Sequence, residues 1–256
     1  MELSLYQIDA FTDDLFSGNP ACVVPLTKML PDTLLLKIAQ ENAVAETAFF
    51  LIKDQKIFLR WFTPEVEMDL CGHATLATAH CLKTILKYSG NIFQFETLSG
   101  ILVVEFKDGL YHLNFPSRMP KKIKLPSLLQ QSINISPVYV FKARDYVLIY
   151  DSEYDIKNIT INRVPFDQLS LGAGGVIVTS EGDSCDFVSR FFTPKASILE
   201  DPVTGSAHCS LIPFWADRLK KQKMLAKQLS LRGGTLYCQN LGERVLISGK
   251  AITYSK

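Results

Sequence analysis

Short apolar runs bounded by turn residues dominate this chain, and long apolar stripes at helical spacing are few. Such runs mark strands, while apolar positions three and four apart mark one face of a helix. The first half predicts strands over residues 6–11, 21–25, 47–52, 56–62, 93–97, 102–106 and 111–115. Ser17-Gly18-Asn19-Pro20 supplies turn chemistry, and Asp108-Gly109 is a hairpin signal between the last two strands. Leu34, Leu35, Ile38 and Ala39 form a helical stripe that Asp32 is placed to cap. From Ala74 to Leu86 the first turns are apolar or small on nearly every side, which predicts a helix enclosed by its own lobe.

The second half repeats the style. Strands are expected over residues 146–150, 175–179, 187–192, 229–231, 235–239 and 244–248, with a helix from Gly205 toward Leu219. Residues 252–254 predict a last strand that can return to the first lobe. Between the halves, Pro116, Pro120, Pro126 and Pro137 punctuate a segment holding Arg118, Lys121, Lys122 and Lys124, which reads as a solvated linker. The expected division is a lobe over 1–117, completed by a strand within 245–256, and a lobe over 118–244. Strands outnumber helices and each half holds one long apolar helix. That predicts an α+β fold, a curved sheet around a helix in each lobe.

The halves are also related in sequence. Arg60-Trp61-Phe62-Thr63-Pro64 recurs as Arg190-Phe191-Phe192-Thr193-Pro194. Each copy leads to a glycine turn entering a small-residue helix, Cys71-Gly72-His73-Ala74-Thr75 and Thr204-Gly205-Ser206-Ala207-His208. A duplicated strand, loop and helix start predicts two related lobes with a cleft between them lined by two equivalent helix N-termini. The second copy is three residues longer between the proline and the glycine turn. Asp201-Pro202-Val203 or its neighbours are expected to be that insertion.

Composition narrows the function classes. The 256 residues carry a net charge of +1, no footprint for nucleic acid or an anionic membrane. Six cysteines without paired spacing do not read as a disulfide framework. No apolar run reaches membrane-spanning length, and the first residues lack signal-peptide character, so a cytoplasmic protein is expected.

The chemistry concentrates near the glycine turns. A helix N-terminus presents unpaired N–H groups and partial positive charge, so Gly72 and Gly205 can hold a substrate carboxylate. His73 and Ser206 stand beside them. Asp201 is expected near the second helix start, as a cap or as a partner for His73 or a substrate. Glu46 is the only ionisable residue in Ala43-Val44-Ala45-Glu46-Thr47-Ala48-Phe49-Phe50, which predicts a partly desolvated carboxyl group suited to acid–base work. Cys71 lies at a helix start, and its counterpart is Thr204, so a symmetric two-thiol mechanism is not on offer. Leu171-Gly172-Ala173-Gly174-Gly175 precedes a strand-like run and lacks the lysine of a phosphate loop. His80-Cys81 and His208-Cys209 are adjacent pairs that diverge on a helix, so no metal site is expected.

Several blocks in order resemble the phenazine biosynthesis PhzF-like family. They are Asp9-Ala10-Phe11-Thr12, Phe16-Ser17-Gly18-Asn19-Pro20-Ala21, Glu46-Thr47-Ala48-Phe49, both proline-ended strands, both glycine turns with Asp201-Pro202-Val203, Arg232-Gly233-Gly234 and Val245-Leu246-Ile247-Ser248-Gly249-Lys250-Ala251. The resemblance spans essentially the whole chain. It implies a diaminopimelate epimerase-like fold of two pseudo-symmetric lobes, each a curved, mostly antiparallel sheet around a central helix, and a homodimer. It implies isomerisation of a small carboxylate such as trans-2,3-dihydro-3-hydroxyanthranilate, without metal or organic cofactor. In that pattern Glu46 is the acid–base residue, His73, Asp201 and Ser206 position the substrate, and Gly72 and Gly205 donate N–H groups. Cys71, Thr204 and Asn19 are secondary candidates. Two alternatives stay open: a racemase or epimerase, and a non-enzymatic binding protein on the same fold.

Overall fold

The computed structural model describes residues 2–172 and 174–256; Ala173, in the glycine-rich run, lies outside them. The chain divides into two compact units. One runs to Asn114 and resumes over Leu246–Lys256, and the other is Phe115–Val245.

Chain order in the first unit is β1 (Tyr6–Ala10), β2 (Asn19–Leu26), α1 (Asp32–Asn42), β3 (Glu46–Lys53), β4 (Lys56–Phe62), β5 (Glu67–Met68), α2 (Gly72–His80), β6 (Ile92–Thr97), β7 (Gly100–Lys107) and β8 (Leu110–Pro116). There follow β9 (Lys121–Lys122), α3 (Ser127–Ser132), β10 (Tyr139–Lys142), β11 (Tyr146–Ile149), α4 (Glu153–Asn158), α5 (Arg163–Phe166), β12 (Val176–Glu181), β13 (Phe187–Phe192), β14 (Glu200–Asp201), α6 (Gly205–Leu219), β15 (Lys223–Gln228), β16 (Gly234–Asn240) and β17 (Arg244–Gly249). The closing strand β18 (Ala251–Ser255) returns to pair antiparallel with β1.

The two units repeat one pairing scheme. In the first, β1–β2 is antiparallel, β2–β3 parallel, β3–β4 antiparallel and β4–β6 parallel, with β5 antiparallel on β4. In the second, β10–β11, β11–β12, β12–β13, β13–β15 and β13–β14 follow in the same order and the same senses. Each unit is thus a mostly antiparallel sheet with two parallel joins. Alternating residues face opposite sides. In the first unit Phe49 and Phe62 pack under α1 with Leu35 and Ala39. α2, buried along its whole length, packs on β1, β2, β3, β7 and β18. Contact with strands so far apart in the pairing order requires the sheet to wrap the helix. In the second unit Val176, Val178, Val188 and Phe192 belong to a core with Leu129, Ile156 and Phe166, from the short helices on that side. α6 lies on the other side: Trp215 Nε1 donates to Thr179 Oγ1 at 3.0 Å, and its ring stacks on Phe187.

The recurring Arg-x-Phe-Thr-Pro strand has a structural reason. Arg60 Nε and Nη2 reach the two oxygens of Glu67 at 2.6 and 2.7 Å, and Arg190 grips Glu200 in the same way at 2.7 and 2.9 Å. Each guanidinium also lies over the phenylalanine two residues on, 5.1 Å from Phe62 and 4.9 Å from Phe192. A planar bidentate fork with cation–π packing ties each strand to its short partner β5 or β14.

Some expectations change. Asp32 does not cap α1; the N-cap is Pro31, and Asp32 instead accepts from Arg60 Nη1 at 2.8 Å. Part of the expected linker is ordered structure: β9 pairs with β10, Lys122 lies over the Tyr139 ring, and α3 follows. The strand expected at residues 229–231 is instead β15, ending at Gln228. Asp108 and Gly109 both take positive φ, 52° and 78°, as the hairpin turn requires. Among the described residues no helix is long and apolar enough to cross a membrane.

Two buried histidines carry a pH signature. His80 lies between Thr253 Oγ1 and the Tyr111 hydroxyl, and His208 Nδ1 lies 2.8 Å from Thr204 O. Burial pushes each ring down from 6.5 to about 4. Unfolding exposes them and they take up protons, so stability present above pH 6.5 falls as pH drops toward 4. The loss is about 3 kcal/mol per ring. NMR titration is expected to show both rings neutral in folded protein at pH 5.5; a protonated ring there contradicts the assignment.

Candidate active site

In the first unit three segments converge on one imidazole. Gly18 takes φ +69°, and a Cβ there would lie 2.3 Å from Ala10 O and 2.6 Å from the Thr12 side chain. Glycine therefore permits the turn that brings Asn19 to the buried start of β2. Glu46 opens β3, and Gly72-His73 opens α2. His73 Nε2 lies 3.2 Å from Glu46 Oε2, with side chains 5% and 16% exposed. This is ion-pair distance, though the contact falls outside hydrogen-bond geometry. On the other edge of the ring, the Asn19 amide lies 3.2 Å and Cys71 Sγ 3.6 Å from Nδ1. The structure thus brings Asn19, Glu46, Cys71, Gly72 and His73 together.

Burial alone disfavours a charged imidazole, but the Glu46 carboxylate 3.2 Å from Nε2 opposes it and raises His73 above 6.5. Burial, then the Glu46 charge, pushes the Cys71 thiol up. The neutral thiol is therefore the favoured form of Cys71. The structure sets Asn19 Nδ2 toward Nδ1, which suits an unprotonated Nδ1; a doubly protonated ring needs the amide turned so that its oxygen faces Nδ1. Cys71 is the N-cap of α2 yet its side chain does not cap it. The Gly72 amide at the start of α2 thus keeps its polarity for another acceptor.

Glu46, Cys71 and His73 offer ligand atoms within 4.8 Å of one another. A tetrahedral zinc site has sulfur-to-nitrogen edges of about 3.5 Å around one point. Here Glu46 and Cys71 address opposite nitrogens of the same ring, so the three do not converge on a single ion position. The arrangement suits proton handling better than chelation.

In the second unit Asp201 ends β14 and Thr204 is the N-cap of α6, again without side-chain capping. The Thr204 hydroxyl donates to Asp201 Oδ2 at 2.5 Å. Gln228 braces the turn: its Oε1 accepts from Thr204 N at 2.9 Å and its Nε2 donates to Asp201 O at 2.8 Å. Ser206 Oγ accepts from Arg144 Nη2 at 2.9 Å. Arg144 also grips Asp145, whose Oδ1 accepts from Gly175 N. Asp201, Thr204, Gly205 and Ser206 thus form one cluster. Sequence reasoning missed Arg144, Asp145 and Gln228. A charged pair just before a buried strand was the available signal for the first two; Gln228 closes a strand with alternating burial.

Strand register fixes which residues correspond between the units. Phe62 faces Thr47 and Phe192 faces Val176, so Glu46 corresponds to Gly175. Glu67 faces Phe62 and Glu200 faces Phe192, so Asp201 corresponds to Met68. The longer second loop therefore gains its residues between Pro194 and Glu200, and the expected insertion at Asp201-Pro202-Val203 is corrected: the asymmetry there is a substitution. At Gly175 a Cβ would lie 2.4 Å from the Phe191 ring and 2.8 Å from Phe192 O. Packing excludes a side chain where the other unit carries its carboxylate.

Comparison with known proteins agrees with this architecture. The chain is 46% identical to an uncharacterized isomerase of Pseudomonas aeruginosa, over 99% of this chain and 97% of that one. A PhzF family crystal structure from Enterococcus faecalis is 42% identical and superposes with a TM-score of 0.95, covering 100% of this chain and 98% of that chain. A probable proline racemase from Agrobacterium radiobacter, 10% identical, shares the fold at a TM-score of 0.64 over 99% and 92% of the two chains. The fold is diaminopimelate epimerase-like. The family model for phenazine biosynthesis-like protein, PhzC-PhzF, matches residues 8–256, and the chain belongs to that family.

Proposed function

We propose that the chain is an isomerase that moves a proton between carbons of a small carboxylate-bearing substrate, with Glu46 as the acid–base group and no cofactor. The observation that carries this is the Glu46–His73 pair, 3.2 Å apart and set against a buried thiol and amide. His73 faces Oε2, which leaves Oε1 to take the proton from carbon beside an activated system and return it at another carbon. The name of the Pseudomonas aeruginosa relative supports the isomerase class. One carboxyl group performs both steps in this proposal. Its counterpart is Gly175, and the counterpart of Cys71 is a threonine, so the duplication offers no second acid of the same kind. Within the first unit His73 and the Gly72 amide are the proposed substrate-binding groups, and within the second unit Asp201, Ser206 and the Gly205 amide are.

The test is turnover of trans-2,3-dihydro-3-hydroxyanthranilate and a panel of small unsaturated carboxylates by wild-type protein, followed by absorbance and NMR. Conversion with migration of a double bond supports the proposal. Well-folded protein that binds these acids and converts none would instead indicate a binding protein.

A further inference from the structure

Arg144 lies on the short connection between β10 and β11, a place the sequence marks with no periodic pattern. Its side chain is 29% exposed, while the neighbouring Asp145 side chain is 1% exposed. Nε and Nη2 both reach the Asp145 carboxylate, at 3.1 and 3.0 Å, so the guanidinium plane is fixed. Asp145 is itself held by Gly175 N at 2.9 Å. From that anchored position Nη2 also donates to Ser206 Oγ, the side chain beside the glycine at the start of α6.

The duplication gives this contact its meaning. In the first unit Asn19, where the connection from β1 enters β2, holds His73 at 3.2 Å. In the second unit Arg144, within the connection from β10 to β11, holds Ser206 at 2.9 Å. His73 and Ser206 are equivalent, each following the first glycine of its unit's enclosed helix. Both units therefore use the same connection to fix the same helical position, with side chains of different chemistry.

We propose that Arg144 is a positioning residue that sets the donor direction of Ser206. A guanidinium has no lone pair to offer, so Ser206 Oγ must be the acceptor in this contact. The hydroxyl hydrogen is then directed away from Arg144 and is available to an acceptor oxygen of the substrate. The anchor explains why arginine is used: Nε and Nη2, fixed in one plane, grip Asp145 while Nη2 also reaches Ser206, which a lysine cannot reproduce. The proposal rests on the assignment of Ser206 to substrate binding.

The test is a double-mutant cycle on binding of anthranilate, a ring carboxylate that offers the same anionic group, measured by calorimetry on the full chain. Ser206→Ala, Arg144→Met, Arg144→Lys and the Arg144→Met/Ser206→Ala pair are compared. Each single variant is expected to weaken binding roughly tenfold, the scale of one hydrogen bond to a charged group. The pair is expected to lose no more than Ser206→Ala alone, because both act through one hydroxyl. Arg144→Lys guards against misfolding, since it keeps a cation for Asp145, and it is expected to bind as weakly as Arg144→Met. Wild-type binding by Arg144→Lys, or additive losses in the pair, overturns the proposal and leaves the Ser206 assignment intact. Undiminished binding by Ser206→Ala, or none by wild type, removes that assignment and the proposal with it.

Discussion

Glu46→Gln is expected to lower turnover by about 10²–10⁴-fold, the range that a positioned acid–base group contributes. The amide matches the carboxylate in shape, and the Glu46 side chain keeps some solvent contact at 16% exposed, so the fold should tolerate the change. The midpoint of thermal unfolding is expected to stay close to that of the wild type. A second effect follows from electrostatics. The Glu46 carboxylate raises His73, so the variant's imidazole should titrate at lower pH than the wild type's. Steady-state kinetics and a histidine NMR titration measure the two effects separately. A variant that keeps wild-type kcat would remove Glu46 from the chemistry, whatever happens to His73.

Gly18→Ala is expected to cost about 2–4 kcal/mol, from left-handed backbone strain together with overpacking. The Cβ would strike the Ala10 carbonyl at 2.3 Å, and that oxygen belongs to a strand paired on both sides. For a chain of this size the loss corresponds to a fall of about 5–15 °C in the unfolding midpoint. Activity should fall as well, because the turn carries Asn19 against His73. Gly90→Ala is the control. Gly90 also has positive φ, +99°, but nothing lies within 4 Å of its Cβ position. Strain alone should make that change milder, about 1 kcal/mol. Equal losses in the two variants would show that the crowding at Gly18 is relieved by local movement.

The sequence made legible whatever depends on a side chain's own surroundings. Glu46 stood out as one charge in an apolar octet, and the helix from Gly205 to Leu219 showed its apolar and small residues directly. The repeated Arg-x-Phe-Thr-Pro strand was visible because each copy must build the same fork onto a glutamate of the short strand paired beside it. What depends on pairing was hidden. Spacing showed that the second loop is longer but not where, since only the register of Phe191 against Asp201 places the gap. β15 was missed because its outward positions include Lys223 and Lys227. The lysines at 121 and 122 looked solvated, and they are exposed, yet their backbone pairs with β10. Arg144 sits on a connection too short for periodicity, so its contact with Ser206 emerges only when the fold closes.

The most direct test of the central claim is an NMR time course in deuterated water with trans-2,3-dihydro-3-hydroxyanthranilate, comparing wild type with Glu46→Gln. A proton shift carried by Glu46 predicts conversion by the wild type, with the moved hydrogen appearing at a new carbon, and almost no conversion by the variant. Equal conversion by both proteins would contradict it.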